Sequence, residues 1–156
     1  MIFTKTYDLP SVDASEAFAI HIADALSVPF VMTFSGEIGR GKTTIIRAML
    51  RYLGVTSRIK SPTFSLVESY EVNDLQIHHF DLYRIKDESE LEEIGFADYF
   101  SQDAILCIEW PEHAGQCLHL VDLKFALDVK GPGRLLHIEA TSPRGVETIS
   151  SLIGEQ

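Results

Sequence analysis

The stretch Ser35-Gly36-Glu37-Ile38-Gly39-Arg40-Gly41-Lys42-Thr43-Thr44 constrains this chain more than any other. It fits the pattern G-x-x-x-x-G-K-S/T, with Gly36, Gly41, Lys42 and Thr43 in the four fixed places. A chance match is expected in roughly one chain of this size in two hundred. The pattern demands a strand before it and a helix after it. Both are present: Pro29 to Phe34 is a short apolar run, and Thr43 to Leu53 has helical character and is stopped by Gly54. Glycines let the backbone turn inward, so that successive N–H groups from Gly36 to Thr44 face a phosphate at the positive end of the helix. Lys42 then reaches the outer phosphates, and Thr43 offers a hydroxyl to a Mg²⁺ ion bridging the β and γ oxygens.

Size and charge narrow what can surround such a loop. A chain of 156 residues with 46% hydrophobic content supports one domain, expected to run over residues 1–156. No apolar run approaches the ~18 residues of a membrane span, and Met1 to Thr6 lacks the apolar stretch of a signal peptide, so a cytoplasmic location is expected, with no membrane partner. The net charge of −10, from 23 acids against 13 bases, argues against direct grip on nucleic acid, which needs Lys and Arg against phosphates. Any role near RNA would pass through a protein partner. Cys107 and Cys117 are too few and too unpatterned for a disulfide framework or a zinc site.

A first helix is expected over Asp13 to Leu26, capped by Asp13 with Glu16 at the capping-box place and Phe18, Ile22 and Leu26 along one face. Beyond the second helix, Lys60 to Val72 and Leu75 to Arg84 read as an antiparallel hairpin around Asn73-Asp74. Thr63 and Asp81 are its candidate γ-phosphate sensor and magnesium-side acid; a capping hydroxyl and a strand-end acid are equally good readings. His78 and His79 are adjacent in a strand and point to opposite faces, which suits structural or surface roles. Asp87 to Gly95 reads as an acidic helix, either a solvated face or a docking surface for a basic partner. Ala104 to Glu109 is an almost continuous apolar run ending in an acid, the pattern of a buried central strand delivering a carboxylate to a site. Glu109 is therefore the first choice for the magnesium side. Trp110 either stacks on a base or plugs the sheet edge. Leu120 to Val129 and Leu135 to Ala140 form a second hairpin, whose turn carries Arg134, either a nucleotide contact or a surface arginine. The tail from Gly145 to Ile153 has a weak amphipathic pattern.

The phosphate loop, Ser61-Pro62-Thr63-Phe64-Ser65-Leu66-Val67, His79-Phe80-Asp81-Leu82-Tyr83-Arg84 and Glu109-Trp110-Pro111, in that order, closely resemble the TsaE (YjeE) family of small bacterial ATPases. The resemblance implies binding of ATP and Mg²⁺, slow ATP hydrolysis, and association with the TsaB and TsaD proteins in forming N6-threonylcarbamoyladenosine beside the tRNA anticodon. TsaD performs the transfer, and tRNA is met only through the complex. Carried over, the loop falls on Gly36 to Thr44, the magnesium-side acid on Glu109, the second acid on Asp81, the switch-like hydroxyl on Thr63 and the nucleotide-side tryptophan on Trp110. Arg40 stands where the family often has a small residue, and Ser15 where its first helix often carries threonine. The expected fold is α/β: a P-loop NTPase-like three-layer sandwich with a central, mostly parallel sheet and antiparallel hairpin extensions. Two other functional classes share the loop: a small-molecule kinase, which needs a lid and an arginine-lined acceptor pocket, and a nucleotide-sensing module without useful hydrolysis.

Overall fold

A computed structural model describes residues 3–36, 39–59 and 66–154. Glu37, Ile38 and Thr63 lie outside the described residues, as does the side chain of Arg40. The elements are β1 (Phe3–Leu9), α1 (Val12–Ala25), β2 (Phe30–Ser35), α2 (Gly39–Leu53), β3 (Val67–Val72), β4 (Leu75–Asp81), α3 (Ser89–Glu93), α4 (Phe96–Tyr99), β5 (Ala104–Glu109), a 3₁₀ segment (Pro111–Cys117), β6 (Leu123–Lys130), β7 (Gly133–Ala140) and α5 (Pro143–Gly154).

All seven strands join one sheet in the order β1-β7-β6-β2-β5-β4-β3. The four central strands, β6, β2, β5 and β4, run parallel, and antiparallel pairs extend the sheet on both sides. Parallel strands carry helices on both faces and are buried on both, which is why β2 and β5 read as unbroken apolar runs. On one face, Ile45, Ile46, Met49 and Leu50 of α2, Ile22 of α1 and Ile149 of α5 pack on Phe30, Met32, Phe34, Ile105 and Phe125. Each such side chain contributes about 1.5–3 kcal/mol by leaving water. On the other face, Leu91 and Phe96 with Ala114 of the 3₁₀ segment cover Val31, Phe80, Leu106 and Ile108. These two clusters, one per face, make the three layers.

The hairpin over β3 and β4 forms around Asn73 and Asp74, both with positive φ. The second hairpin, β6 with β7, forms as expected. Other boundaries move. Ser11, not Asp13, caps α1: its Oγ accepts the Ala14 N–H at 3.1 Å, and the helix starts one residue early. The acidic helix is cut to the five residues of α3. Its Glu90 turns back to accept the Lys86 and Asp87 N–H groups, which ties the preceding turn rather than lengthening the helix. Gly95, at φ 69°, then redirects the chain into α4, an element with no sequence signal of its own. Strand β1 was also unmarked; it exists because β7 offers it an edge, pairing Phe3 with Ala140 through to Leu9 with Arg134.

Candidate functional site

Because β2, β4 and β5 are parallel neighbours, their carboxyl ends coincide, and the crevice outside that end is where open parallel sheets bind ligands. Strand β2 ends at Ser35 and passes through Gly36 toward α2. Gly36 has φ 121°, and a Cβ there would lie 2.5 Å from the Leu127 carbonyl oxygen of β6. Only glycine lets the chain leave the sheet at this point.

Lys42 lies in the opening turns of α2 and is fully buried, at 0% exposure. Among the described residues its Nζ has no hydrogen-bond partner, and it sits 4.1 Å from the centroid of the Trp110 ring. Burial lowers the pKa of this ammonium, and the charges of Glu109, Asp81 and Glu112 act against that shift. A buried donor left without an acceptor is costly, and an anion placed there would satisfy it.

The acids come from neighbouring strand ends. Register pairs Phe34 with Glu109 and Asp81 with Glu109, so the two carboxylates occupy adjacent positions on the α2 face. Glu109 is 3% exposed. Asp81 is half-buried, and its Oδ1 accepts the Tyr83 N–H at 3.1 Å. Burial and then the Glu109 charge push the Asp81 pKa up, with the Tyr83 amide, His79 and Lys42 acting against them. Cys107, one pleat below Glu109, is pushed up to about 12 by burial and the same acid, so it is an inert core thiol.

The residues expected at the site fall into three groups. Lys42, Asp81, Glu109 and Trp110 are brought together. Thr43 and Thr44 follow Lys42 in α2 and are half-buried. Arg134 is half-buried near the tip of the second hairpin, at the sheet end toward which β2 also runs. Its Nη1 donates to the Gly133 carbonyl at 2.8 Å, while its Nε is buried without a partner among the described residues. Trp110, with φ 57°, spans Lys42 and the exposed Tyr83, whose ring lies 5.0 Å away; His113 flanks it at 5.5 Å and is held by a 2.8 Å bond between its Nδ1 and the Leu82 carbonyl. Among the described residues, no group of three or more His, Cys, Asp or Glu side chains is arranged to hold a metal ion.

Of the structural and surface roles expected for the two histidines, His79 takes a buried one. It is 1% exposed, and its Nε2 lies 2.6 Å from Glu109 Oε2. Its neighbour His78 points to the opposite face, where Ser69 and Gln102 hold its two ring nitrogens and Tyr99 packs edge-on. The adjacent-histidine pattern correctly separates the two faces; only the β4–β5 register shows which face holds the acid.

The family model described as "Threonylcarbamoyl adenosine biosynthesis protein TsaE" matches residues 9–135. The chain is 40% identical to the tRNA threonylcarbamoyladenosine biosynthesis protein TsaE of Haemophilus influenzae over 117 residues, 75% of this chain and 74% of that protein. It is 33% identical to the protein of the same name from Aquifex aeolicus over 126 residues, 80% of this chain and 90% of that one. The Bacillus subtilis protein of that name is 38% identical over 80 residues, 51% of this chain and about half, 49%, of its own length. The fold matches the crystal structure of Bacillus subtilis YdiB with a TM-score of 0.81 at 23% identity, covering 99% of this chain and 97% of that one. No described helix is long and apolar enough to cross a membrane. On the sequence match over residues 9–135, the chain belongs to the TsaE family of threonylcarbamoyladenosine biosynthesis proteins.

Proposed function

We propose that this protein binds ATP with Mg²⁺ at the crevice around Lys42, hydrolyses it slowly, and serves TsaB and TsaD in forming N6-threonylcarbamoyladenosine on tRNA. The observation that carries this reading is the fully buried, unpartnered Lys42 ammonium at the carboxyl ends of strands that also present Glu109 and Asp81. A phosphate supplies the acceptor that Lys42 lacks. Gly36, at φ 121°, turns the chain out of β2 toward α2, which is where such a loop begins.

Residues Gly36 to Thr44 would hold the phosphates through their amides, and Lys42 would balance the charge on the outer ones. Thr43 and Glu109 offer oxygen donors of the kind Mg²⁺ prefers, and a site with so few protein ligands suits an ion that keeps waters and nucleotide oxygens. When bound, Mg²⁺ neutralises charge on the β and γ oxygens. Asp81 and Thr63 are the groups assigned to the γ-phosphate side. Trp110 shields Lys42 from water, and Arg134 is assigned to the nucleotide. Slow isolated turnover follows from the balance of charge. Two carboxylates would stand beside the phosphates, and one extra cation from outside, such as an arginine finger, is worth about 10³ to 10⁵ in rate.

Calorimetry with Mg·ATP tests binding, with uptake at one site expected. Hydrolysis is then measured for the protein alone and with TsaB and TsaD added. Rapid turnover by the isolated chain, or no acceleration by the pair, would overturn the catalytic part of the reading.

A further inference from the structure

His79 reaches Glu109 by a diagonal across two parallel strands. Register sets Asp81 beside Glu109 and His79 beside Cys107, so the imidazole lies one pleat below the acid on the α2 face. Its Nε2–H donates to Glu109 Oε2 at 2.6 Å, with both side chains almost fully buried. Water therefore does not compete for the bond. The other ring nitrogen, Nδ1, is buried without a partner among the described residues. A side chain present only to fill this position would carry no such unpaired atom; Ile77, one pleat further back on the same face, is purely apolar. What the imidazole supplies that an apolar residue cannot is the donor to Glu109.

We propose, on the basis of the ATP–Mg²⁺ reading above, that His79 is a positioning residue: its Nε2–H bond takes one oxygen of Glu109 and holds the carboxylate plane toward the cation. Outer partners of this kind, which orient a ligating group without touching the metal, are worth about 10- to 100-fold in metal affinity or activity.

Four variants test the assignment. His79→Leu removes the donor. His79→Gln carries an amide N–H to about the reach of Nε2, whereas the amide of His79→Asn falls short of Glu109. Glu109→Gln removes the charged acceptor. Nucleotide affinity is measured by calorimetry with Mg²⁺ and with chelator, and kcat and KM for hydrolysis with TsaB and TsaD present. The expected result for His79→Leu is a loss of about 10- to 100-fold in the Mg²⁺-dependent gain in affinity and in kcat, with metal-free affinity changed by less than about 3-fold. Gln restores the gain to within a few-fold and Asn does not, a split that stands even if the Leu variant fails to fold. In a Glu109→Gln background, His79→Leu has little further effect. Gln and Asn behaving alike, or full Mg²⁺-dependent binding in His79→Leu, would overturn the assignment while leaving ATP binding intact. Wild type that takes up no Mg·ATP brings down the nucleotide reading, and this inference with it.

Discussion

At the scale of single residues, Lys42 sets the terms. Removing an ion from water costs several kcal/mol even after relaxation, and a ring at 4.1 Å returns about 1–2 of these. Lys42→Met is therefore expected to raise the melting temperature of the ligand-free protein while weakening ATP uptake by at least about 100-fold, read by scanning and titration calorimetry respectively. An equal loss of stability and binding would mean that the ammonium supports the fold rather than a ligand. The residues of this site differ in how openly the sequence declares them. Lys42 sits at a fixed place in a motif, and Glu109 ends an apolar run, so both are readable from spacing. His79 is not, because its partner is set by the register of β4 on β5, and no local pattern encodes which residues of distant strands lie diagonal to one another.

At the scale of elements, the exit from β2 into the loop is the tightest constraint. Gly36→Ala forces a residue at φ 121° and puts a methyl 2.5 Å from the Leu127 carbonyl, which costs at least about 2 kcal/mol. The expected result is a lowered melting temperature together with weaker nucleotide uptake, and a variant of wild-type stability would show that β6 yields at this point. Elements were legible where periodicity and punctuation agreed: α2, β5 and both hairpins. They were not where pairing or packing supplied the order. Strand β1 is half-exposed and leans on β7, while α3 and α4 are short pieces ordered by Leu91 and Phe96 sinking into the far face. The shift of the α1 cap from Asp13 to Ser11 turns on which of two good capping residues finds the extended backbone, and Ser11 does, at φ −149° and ψ 169°.

At the scale of the whole molecule, the sheet divides the labour of its faces. The α2 face carries the crevice, and the opposite face carries an aromatic cluster of Phe80, Phe96, Tyr99 and Phe100 that reaches His78. Burial lowers the pKa of His78, partly offset by its bond to Gln102. In the unfolded chain the same imidazole titrates near 6.5 and takes up its proton first. His78 stability is thus complete above that value and declines as pH falls below it toward the folded pKa. Denaturant midpoints compared at pH 7.5 and 5.5 should fall further for wild type than for His78→Gln; parallel falls would assign the slope to other groups. Trp110 is the chain's one indole, and it lies against Lys42. Excited at the red edge of the indole band, where the five tyrosines do not absorb, the protein's emission therefore originates at a single contact in the crevice. Filling that crevice with Mg·ATP should change its intensity or wavelength, with no background from elsewhere in the chain, and Lys42→Met should mute the response.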